Sequence, residues 1–467
     1  MIELKKNSLL TTIGSIADNW SLEVYAVGGY VRDKLLGKEC KDIDLVVIGD
    51  GPKFARAVAK GLKTKRVMVY KQFGTALVEY EDFKLEFVGA RKESYRSDSR
   101  KPQVAPADLP CDLARRDFTV NALALSLNRD SFGQIIDPFG GQKDLTKKIL
   151  KTPLEPELTF QDDPLRIMRA IRFATQLQFT IEARTKAGMK KMAPRLTIIS
   201  QERITDELLK ILASPKPSIG FQLMEQTDVL KEIFPELLKL KGVEQIGGHH
   251  HKDVFYHTLQ VLDNVAQVTD DMPLRFTALV HDIAKPKTKH FQPDKGWSFH
   301  NHEEVGARML PAIGRRLRLP NEMIVYAQKL TRLHLRPIAL TEEEVTDSAY
   351  RRLLVQAGEH LEDLLTLCRA DITSQNPRRV KKHLANFDFV VQRLQEVEEK
   401  DRMRAFQSPV RGDEIMQVCG LQPGPKVGKL KTLIEEAILE GEIPNEHDAA
   451  LAYLLQVKDR VLLGSKE

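Results

Sequence analysis

Asp42 and Asp44 lie two residues apart at the head of a run of β-forming side chains, Leu45 to Ile48. Residues i and i+2 of a strand face the same side, so both carboxylates can bind one magnesium while Ile43 points into the core. Magnesium takes hard oxygen ligands, commonly one or two carboxylates with substrate phosphates and waters. The pair therefore suits metal-assisted chemistry on a nucleoside triphosphate. Upstream, Gly28 and Gly29 follow the apolar run Val24 to Val27 and open a short helix carrying Arg32 and Asp33. A glycine pair lets the backbone approach a phosphate closely, and a helix N-terminus favours an anion there. Gly37 fits the C-terminal cap of the same helix.

Other residues extend this chemistry. In LARRDFTVNALAL, Leu113 to Leu125, Arg115 and Arg116 form a cationic pair suited to a triphosphate, since the arginine fork matches phosphate oxygens. In FQDDPLRIMRAIRFATQLQF, Phe160 to Phe179, Arg166, Arg169 and Arg172 recur every three residues behind Asp163. Further on, His249 to His251 precede His257. His281-Asp282 sits in the apolar run ALVHDIAK, and His300, His302, His334 and Asp371 follow. Burying adjacent His and Asp is costly without a metal or polar partners, which points to a metal centre.

The elements that must position these groups can be read from periodicity. A helix leads into the first strand near Ser21. After GDG and Pro52 a helix covers Phe54 to Leu62, and β-rich runs occupy Arg66–Tyr70, Thr75–Tyr80 and Lys84–Val88. Strands interleaved with helices predict a small mixed α/β head. Arg91 to Pro110 is polar, basic and proline-containing, and reads as a long functional loop. Ile135 to Leu145 closes the head. Pro164 opens a helix with Asp163 as N-cap, and Ile167, Ala170, Ile171 and Ala174 form its core stripe. Helices over Ile204–Leu212, Ile219–Gln226 and Val229–Leu237 make an all-helical neck, and Leu421 to Asn445 is a turn followed by an amphipathic helix. The division is a head over 1–145, a neck over 146–240, a metal-binding body over 241–375 and a helical tail over 376–467. The fold class is α+β, with a mixed-sheet head and an otherwise all-α chain.

The chain has 467 residues, enough for several cores, and a formal net charge of +6 that permits nucleic-acid binding. Basic clusters at Arg315, Arg316 and Arg318, and at Arg378, Arg379, Lys381 and Lys382, could meet an RNA backbone. Cys40, Cys111, Cys368 and Cys419 form no metal or redox motif, which suits a reducing compartment. No signal-peptide run and no long uninterrupted apolar stretch occurs, so a soluble cytoplasmic protein with no membrane association and no obligate protein partner is expected.

Taken together, Gly-Gly-x-x-Arg-Asp-x-Leu-Leu-Gly followed by Asp-x-Asp resembles the first motif of the DNA polymerase β-like nucleotidyltransferases. More closely, it resembles the bacterial-type (class II) CCA-adding enzymes and their sister poly(A) polymerases. Arg-Arg-Asp-Phe-Thr-x-Asn-Ala matches the second family motif, and Asp163 with its three arginines matches the base-selecting motif, with Asp162 in place of the usual Glu. The resemblance implies nucleotide addition to the tRNA 3′ end from CTP and ATP. Asp42 and Asp44 would be the catalytic ligands of Mg2+. Gly28, Gly29, Arg32 and Arg116 would hold the triphosphate, Asp117 and Asn121 would contact its sugar or phosphates, and Asp163 and Arg166 would select the base. Arg169 and Arg172 would support that pair. Glu86 stands where the wider superfamily often has a third carboxylate. The loop from Arg91 would take part in the switch from C to A, which disfavours a CC-only enzyme.

The order His, His-Asp, His, His, Asp resembles the HD phosphohydrolases. That likeness implies that His257, His281, Asp282, His302, His334 and Asp371 hold a divalent transition metal or Mg2+, and it adds a phosphohydrolase activity, for example on 2′,3′-cyclic phosphates at RNA ends. Ala284 replaces the common glycine of this motif.

The base-selecting pair makes chemical sense. Asp only accepts and Arg only donates, so the pair fits the amine beside a ring acceptor that cytosine and adenine share. Uracil and guanine would present both contacts reversed, at about 1–3 kcal/mol for each buried mismatch. Rival readings are a poly(A) polymerase, whose basic Gly-Arg-Arg-Phe-like run is replaced here by Lys71 to Gly74, a CC-only or A-only enzyme, and an HD phosphohydrolase with an RNA-binding head.

Overall fold

Apolar residues from Val24 to Val27 and from Leu45 to Val47 are wholly shut away from water except for half-buried Tyr25, and they set the centre of a seven-stranded sheet. The computed structural model describes residues 8–72, 74–94, 103–246, 251–292, 296–341, 345–373, 376–405, 408–439, 442–444 and 446–462. It divides into two compact units, Met1–Ala339 with Glu359–Leu384, and Leu340–Gly358 with Ala385–Glu467.

In the first unit, helix α1 (Ser8–Asn19) precedes strand β1 (Val24–Val27), helix α2 (Gly29–Leu35) and strand β2 (Asp42–Val47). Helix α3 (Gly51–Gly61) and strands β3 (Val67–Tyr70), β4 (Thr75–Tyr80) and β5 (Phe83–Gly89) follow. The polar stretch after Ala90 is more ordered than a loop. Arg91–Ser94 (β6) and Gln103–Pro106 (β7) pair antiparallel, and helix α4 (Leu109–Ala114) begins inside the expected loop, capped by Asp108. Residues 95–102 lie outside the described residues, as do Phe73 of the Lys71–Gly74 run and His249 and His250. Strands β8 (Ala124–Ser126) and β9 (Ile135–Ile136) complete the sheet in the order β3-β4-β5-β2-β1-β8-β9. Only β2 and β5 run parallel; the other pairs are antiparallel, so the sheet is mixed as expected.

Local signals explain the ends of α2. Gly28 sits at φ 70° before its first turn, and Gly37 at φ 72° after its last. Gly37 N–H bonds to Lys34 O and Lys38 N–H to Asp33 O, the paired closure of a glycine-terminated helix. Pro52 lies within the first turn of α3 rather than breaking the chain, because its missing N–H falls where no partner is required.

The neck, expected to be all-helical, also holds one short parallel strand pair, Ile149–Leu150 with Thr180–Ile181, and the body adds the pairs Glu244–Ile246 with His251–Asp253 and His290–Gln292 with Gly296–Ser298. Leu165–Leu177 buries Ile167, Ala170, Ile171 and Ala174 as its periodicity predicts. The expected helix over Val229–Leu237 is two, Val229–Ile233 and Pro235–Leu238, since Pro235 cannot continue the first. A bundle built on Val254–Ala266, Met272–Val280, His302–Arg316, Asn321–Leu333 and Leu361–Asp371 follows. Arg275, 2% exposed, ties this bundle to the neck by donating to Leu212 O and Ser214 O, and also to Thr269 O, Ala266 O and Asp270. Among the described residues, no helix is long and apolar enough to cross a membrane. The second unit has its own core, in which Val410, Ile415, Leu430, Ile434, Ala450 and Leu454 close over one another.

Replacing Arg275 leaves buried carbonyls without donors, at about 1–3 kcal/mol for each lost partner. Arg275→Leu is expected to lower stability by about 3 kcal/mol or more, read as a fall in the urea midpoint with an unchanged slope.

Candidate active site and metal centre

Strand alternation places Ile43 in the core, 1% exposed, and turns Asp42 and Asp44 together toward water. Asp44 pairs in register with Glu86 on parallel β5, so a third carboxylate stands on the same face. Burial, countered by Arg116 and reinforced by Asp42, pushes the Asp44 carboxyl up. Burial and the neighbouring Asp44 push Glu86 up as well. Asp44 thus keeps open surface while standing among protein atoms. Crowded, half-desolvated carboxylates with only oxygen donors fit a hard divalent cation such as magnesium.

On its other side Asp44 pairs with Val27, which brings Gly28 alongside. A Cβ on Gly28 would lie 2.9 Å from Arg116 Nη1 and 3.4 Å from Asp44 Oδ2. Glycine backbone, guanidinium and carboxylate therefore converge. Arg116 donates through Nη2 to the fully buried Asp112 at 3.2 Å, and its own buried Nε has no hydrogen-bond partner.

The other motif arginines form a network. Arg32 donates to Asn121 Oδ1 at 2.8 Å and grips Asp33 with Nε and Nη2. Asn121 Nδ2 donates to Asp117 Oδ1, which also accepts from Phe118 N–H. Arg169 reaches Asp117 Oδ2 with Nε at 2.9 Å and Nη2 at 2.7 Å. Burial raises the Asp117 carboxyl, but Arg169 and Asn121 outweigh it, and the net direction is down. Arg172 pairs with Glu207 at 2.6 Å, and Arg32, Arg169 and Arg172 all lie over the Phe173 ring, at 5.0, 5.3 and 4.2 Å. Asp117 and Asn121 are thus engaged with arginines, while the arginines border the cleft.

Asp163 accepts from Leu165 N–H at 3.1 Å, as an N-cap does, and pairs with Arg203 at 3.2 Å. Arg166 donates to Arg115 O at 2.6 Å and Thr159 O at 3.3 Å. The two residues occupy one helix start, each held by other partners, and Asp162 closes the preceding helix. Spacing could not reveal Arg203 or Glu207, whose partners are distant in sequence, whereas Asp112 stands three and four residues before Arg115 and Arg116, a local signal that could have found it.

The six residues of the His/Asp set come together. His257, His281 and Asp371 form one group and Asp282, His302 and His334 another, each with its ligand atoms within 4.8 Å. Among the described residues no other groups are gathered so tightly, the head carboxylates included. His281, His302 and His334 turn Nδ1 to the carbonyls of Ala278, Phe299 and Thr331 at 2.9, 2.8 and 2.7 Å. A carbonyl only accepts, so these contacts put the proton on Nδ1 and aim a bare Nε2 inward. His257 Nδ1 faces Thr373 Oγ1 at 2.9 Å, outside the expected set. Nε2 of His281, His302 and His334 and Oδ1 of Asp282 are buried without a hydrogen-bond partner. His302 Nε2 lies 3.2 Å from Asp282 Oδ1 and His281 Nε2 lies 3.6 Å from Asp371 Oδ1. Lone pairs facing each other at such distances fit a cation between them.

Burial pushes the Asp282 carboxyl up, but the Lys285 ammonium, 2.7 Å away, holds it well below the usual range. Burial lowers His334 to about 4, which keeps it neutral, the ligating form. Among the basic clusters, Arg316 is tied to Ile233 O and Glu236 and Arg318 pairs with Glu202, whereas Arg378, Arg379, Lys381 and Lys382 are exposed.

The model for the poly A polymerase head domain matches residues 24–151, one described as a probable RNA and SrmB-binding site of polymerase A matches 178–240, and the HD domain model matches 254–375. The A-adding tRNA nucleotidyltransferase of Deinococcus radiodurans is 33% identical, over 91% of this chain and 93% of its own length. The multifunctional CCA protein of Methylococcus capsulatus is 34% identical over 75% of this chain and 81% of its own. A solved tRNA nucleotidyltransferase in complex with a primer tRNA and an incoming ATP analog superposes with TM-score 0.58 at 26% identity, covering 83% of this chain and 99% of that one.

Chelation followed by metal analysis tests the histidine cluster. The chain is expected to retain tightly bound divalent metal after gel filtration, and Asp282→Asn or His281→Ala to lose it while the fold survives by circular dichroism.

Proposed function

The chain belongs to the tRNA nucleotidyltransferase/poly(A) polymerase family, and from that premise we propose that it adds C, C and A to the 3′ end of tRNA, using CTP and ATP and releasing pyrophosphate. The observation that carries this reading is the convergence of Asp44, Gly28 and Arg116 beside Asp42 and Glu86. Asp42 and Asp44 are the ligands for magnesium, with Glu86 as the neighbouring carboxylate. Held by these carboxylates, magnesium would lower the pKa of the attacking 3′-hydroxyl and stabilise the charge on the departing pyrophosphate.

The chain's own residues do the rest. The Gly28–Gly29 backbone admits the triphosphate, and Arg116 and Arg32 hold its oxygens. Asp117 and Asn121 fix Arg169 and Arg32 in place. Asp163 and Arg166 meet the base once each exchanges a present partner for it, Asp163 leaving Arg203 and Arg166 leaving a carbonyl. Arg172 holds the Phe173 side of the cleft. We divide the chain as a head over 1–145, a neck over 146–240, an HD body over 241–375 and a tRNA-binding tail over 376–467, acting in the cytoplasm where tRNA and both triphosphates are found. The six His and Asp ligands support a second, metal-dependent hydrolysis of phosphoesters.

One observation bears on the narrower readings: the A-adding relative matches 91% of the chain and a CC-adding relative from Thermus thermophilus 93%, against 75% for the multifunctional one, so coverage does not choose between A and CC addition. Extension of tRNA transcripts ending at the discriminator base, at C and at CC separates the readings. Growth to CCA that then stops is the expected result. Growth only from CC assigns A addition, a halt at CC assigns CC addition, and an unbounded A tail assigns a poly(A) polymerase. Asp44→Asn should slow every extension by about a hundredfold or more.

Because burial raises both Asp44 and Glu86, with Asp42 adding to the first and Asp44 to the second, protons compete with the metal as pH falls. The magnesium needed for half-maximal extension should rise as pH is lowered from about 8 to about 5, and Glu86→Gln should flatten that rise.

A further inference from the structure

Between Asp282 and His302 the chain leaves the histidine cluster as a two-stranded hairpin, His290–Gln292 against Gly296–Ser298. Phe291 and Trp297 are cross-strand partners. Their rings meet edge to face, 5.1 Å apart, yet remain 53% and 37% exposed. Lys289 Nζ lies 4.3 Å over the Trp297 ring. Two large, partly exposed rings beside a cation are the parts from which single-stranded nucleic-acid sites are made. The hairpin is also rooted in the metal ligands. Phe299, two residues beyond Trp297, accepts the Nδ1 proton of His302 and has Lys285 over its ring at 5.8 Å.

We propose that this hairpin is a base-stacking subsite of the histidine cluster, taking a terminal nucleobase of an RNA strand on Phe291 and Trp297 while Lys289 meets an adjacent phosphate. The proposal rests on the reading of that cluster as a phosphoester site. The basic flank of Lys287, Lys289 and exposed His290 favours an anionic strand over an apolar peptide. Stacking selects for the presence of a base and hardly for its identity, so the site serves any 3′ end.

The sequence has two tryptophans, so Trp20→Phe leaves Trp297 as the sole reporter. Cytidine 2′,3′-cyclic monophosphate should quench its emission, and inorganic phosphate should not. Phe291→Ala, at an exposed position, should raise both the dissociation constant and the KM for hydrolysis of that nucleotide about tenfold, with kcat within about twofold. Lys289→Gln should weaken nucleotide binding several-fold without altering the folded spectrum. Unchanged emission, or a KM indifferent to Phe291→Ala, overturns the subsite while leaving the metal reading intact. Quenching that persists with no hydrolysis from any form of the chain sinks the metal reading and keeps the subsite. A sedimenting mass that changes with Phe291→Ala would assign the rings to a protein contact and overturn the proposal.

Discussion

A carboxylate with almost no access to water joins the sheet of this protein to the helix that follows it. Asp117, 7% exposed, sits two residues before the short turn Thr119–Asn121, and its charge is met by Arg169 from the helix Leu165–Leu177. An unpaired charge in that position would cost several kcal/mol, so head and neck must dock for the head's own loop to be stable. The docking then orders everything within reach. Asn121 is oriented by Asp117, Arg32 by Asn121, and Phe173 offers the surface on which three guanidiniums rest. The cationic wall of the cleft is a consequence of burying one acid.

The histidine body solves the same problem by another route. Its acids, Asp282 and Asp371, are surrounded by imidazoles whose outer nitrogens are committed to backbone carbonyls or to Thr373. Rotation of any ring would break that bond, so the inward lone pairs are held in place before a cation arrives. Buried lone pairs facing buried carboxylates repel, and a cation bound between them would return that free energy.

Much of this was legible in the sequence because it depends on short periods. The Asp42–Asp44 face, the Gly37 cap and the Ile167–Ala174 stripe follow from backbone geometry over a few residues. The gathering of six metal ligands was legible only through resemblance, since His257 and Asp371 are neighbours solely after the bundle packs. The illegible parts are long-range or concern order in polar chain. Arg203 meets Asp163 across 40 residues, and nothing local distinguishes it from other surface arginines. The strands β6 and β7 were hidden because their residues lack the alternation of a half-buried strand. They are fixed by pairing with each other.

The two centres differ in donor chemistry, and this has a consequence for how they work together. The head offers carboxylate oxygen on an accessible strand face, with Asp42 open to solvent, a donor set that suits a hard cation and would hold it weakly. The body offers imidazole around carboxylates at positions such as His281, 0% exposed, a donor set that suits softer divalent ions. The two sets would therefore select different cations, because the head lacks the nitrogen ligands that the body supplies. Selectivity here comes from residue type rather than from distance, and it is written in the difference between Asp-x-Asp on a strand and His-Asp inside a helical bundle.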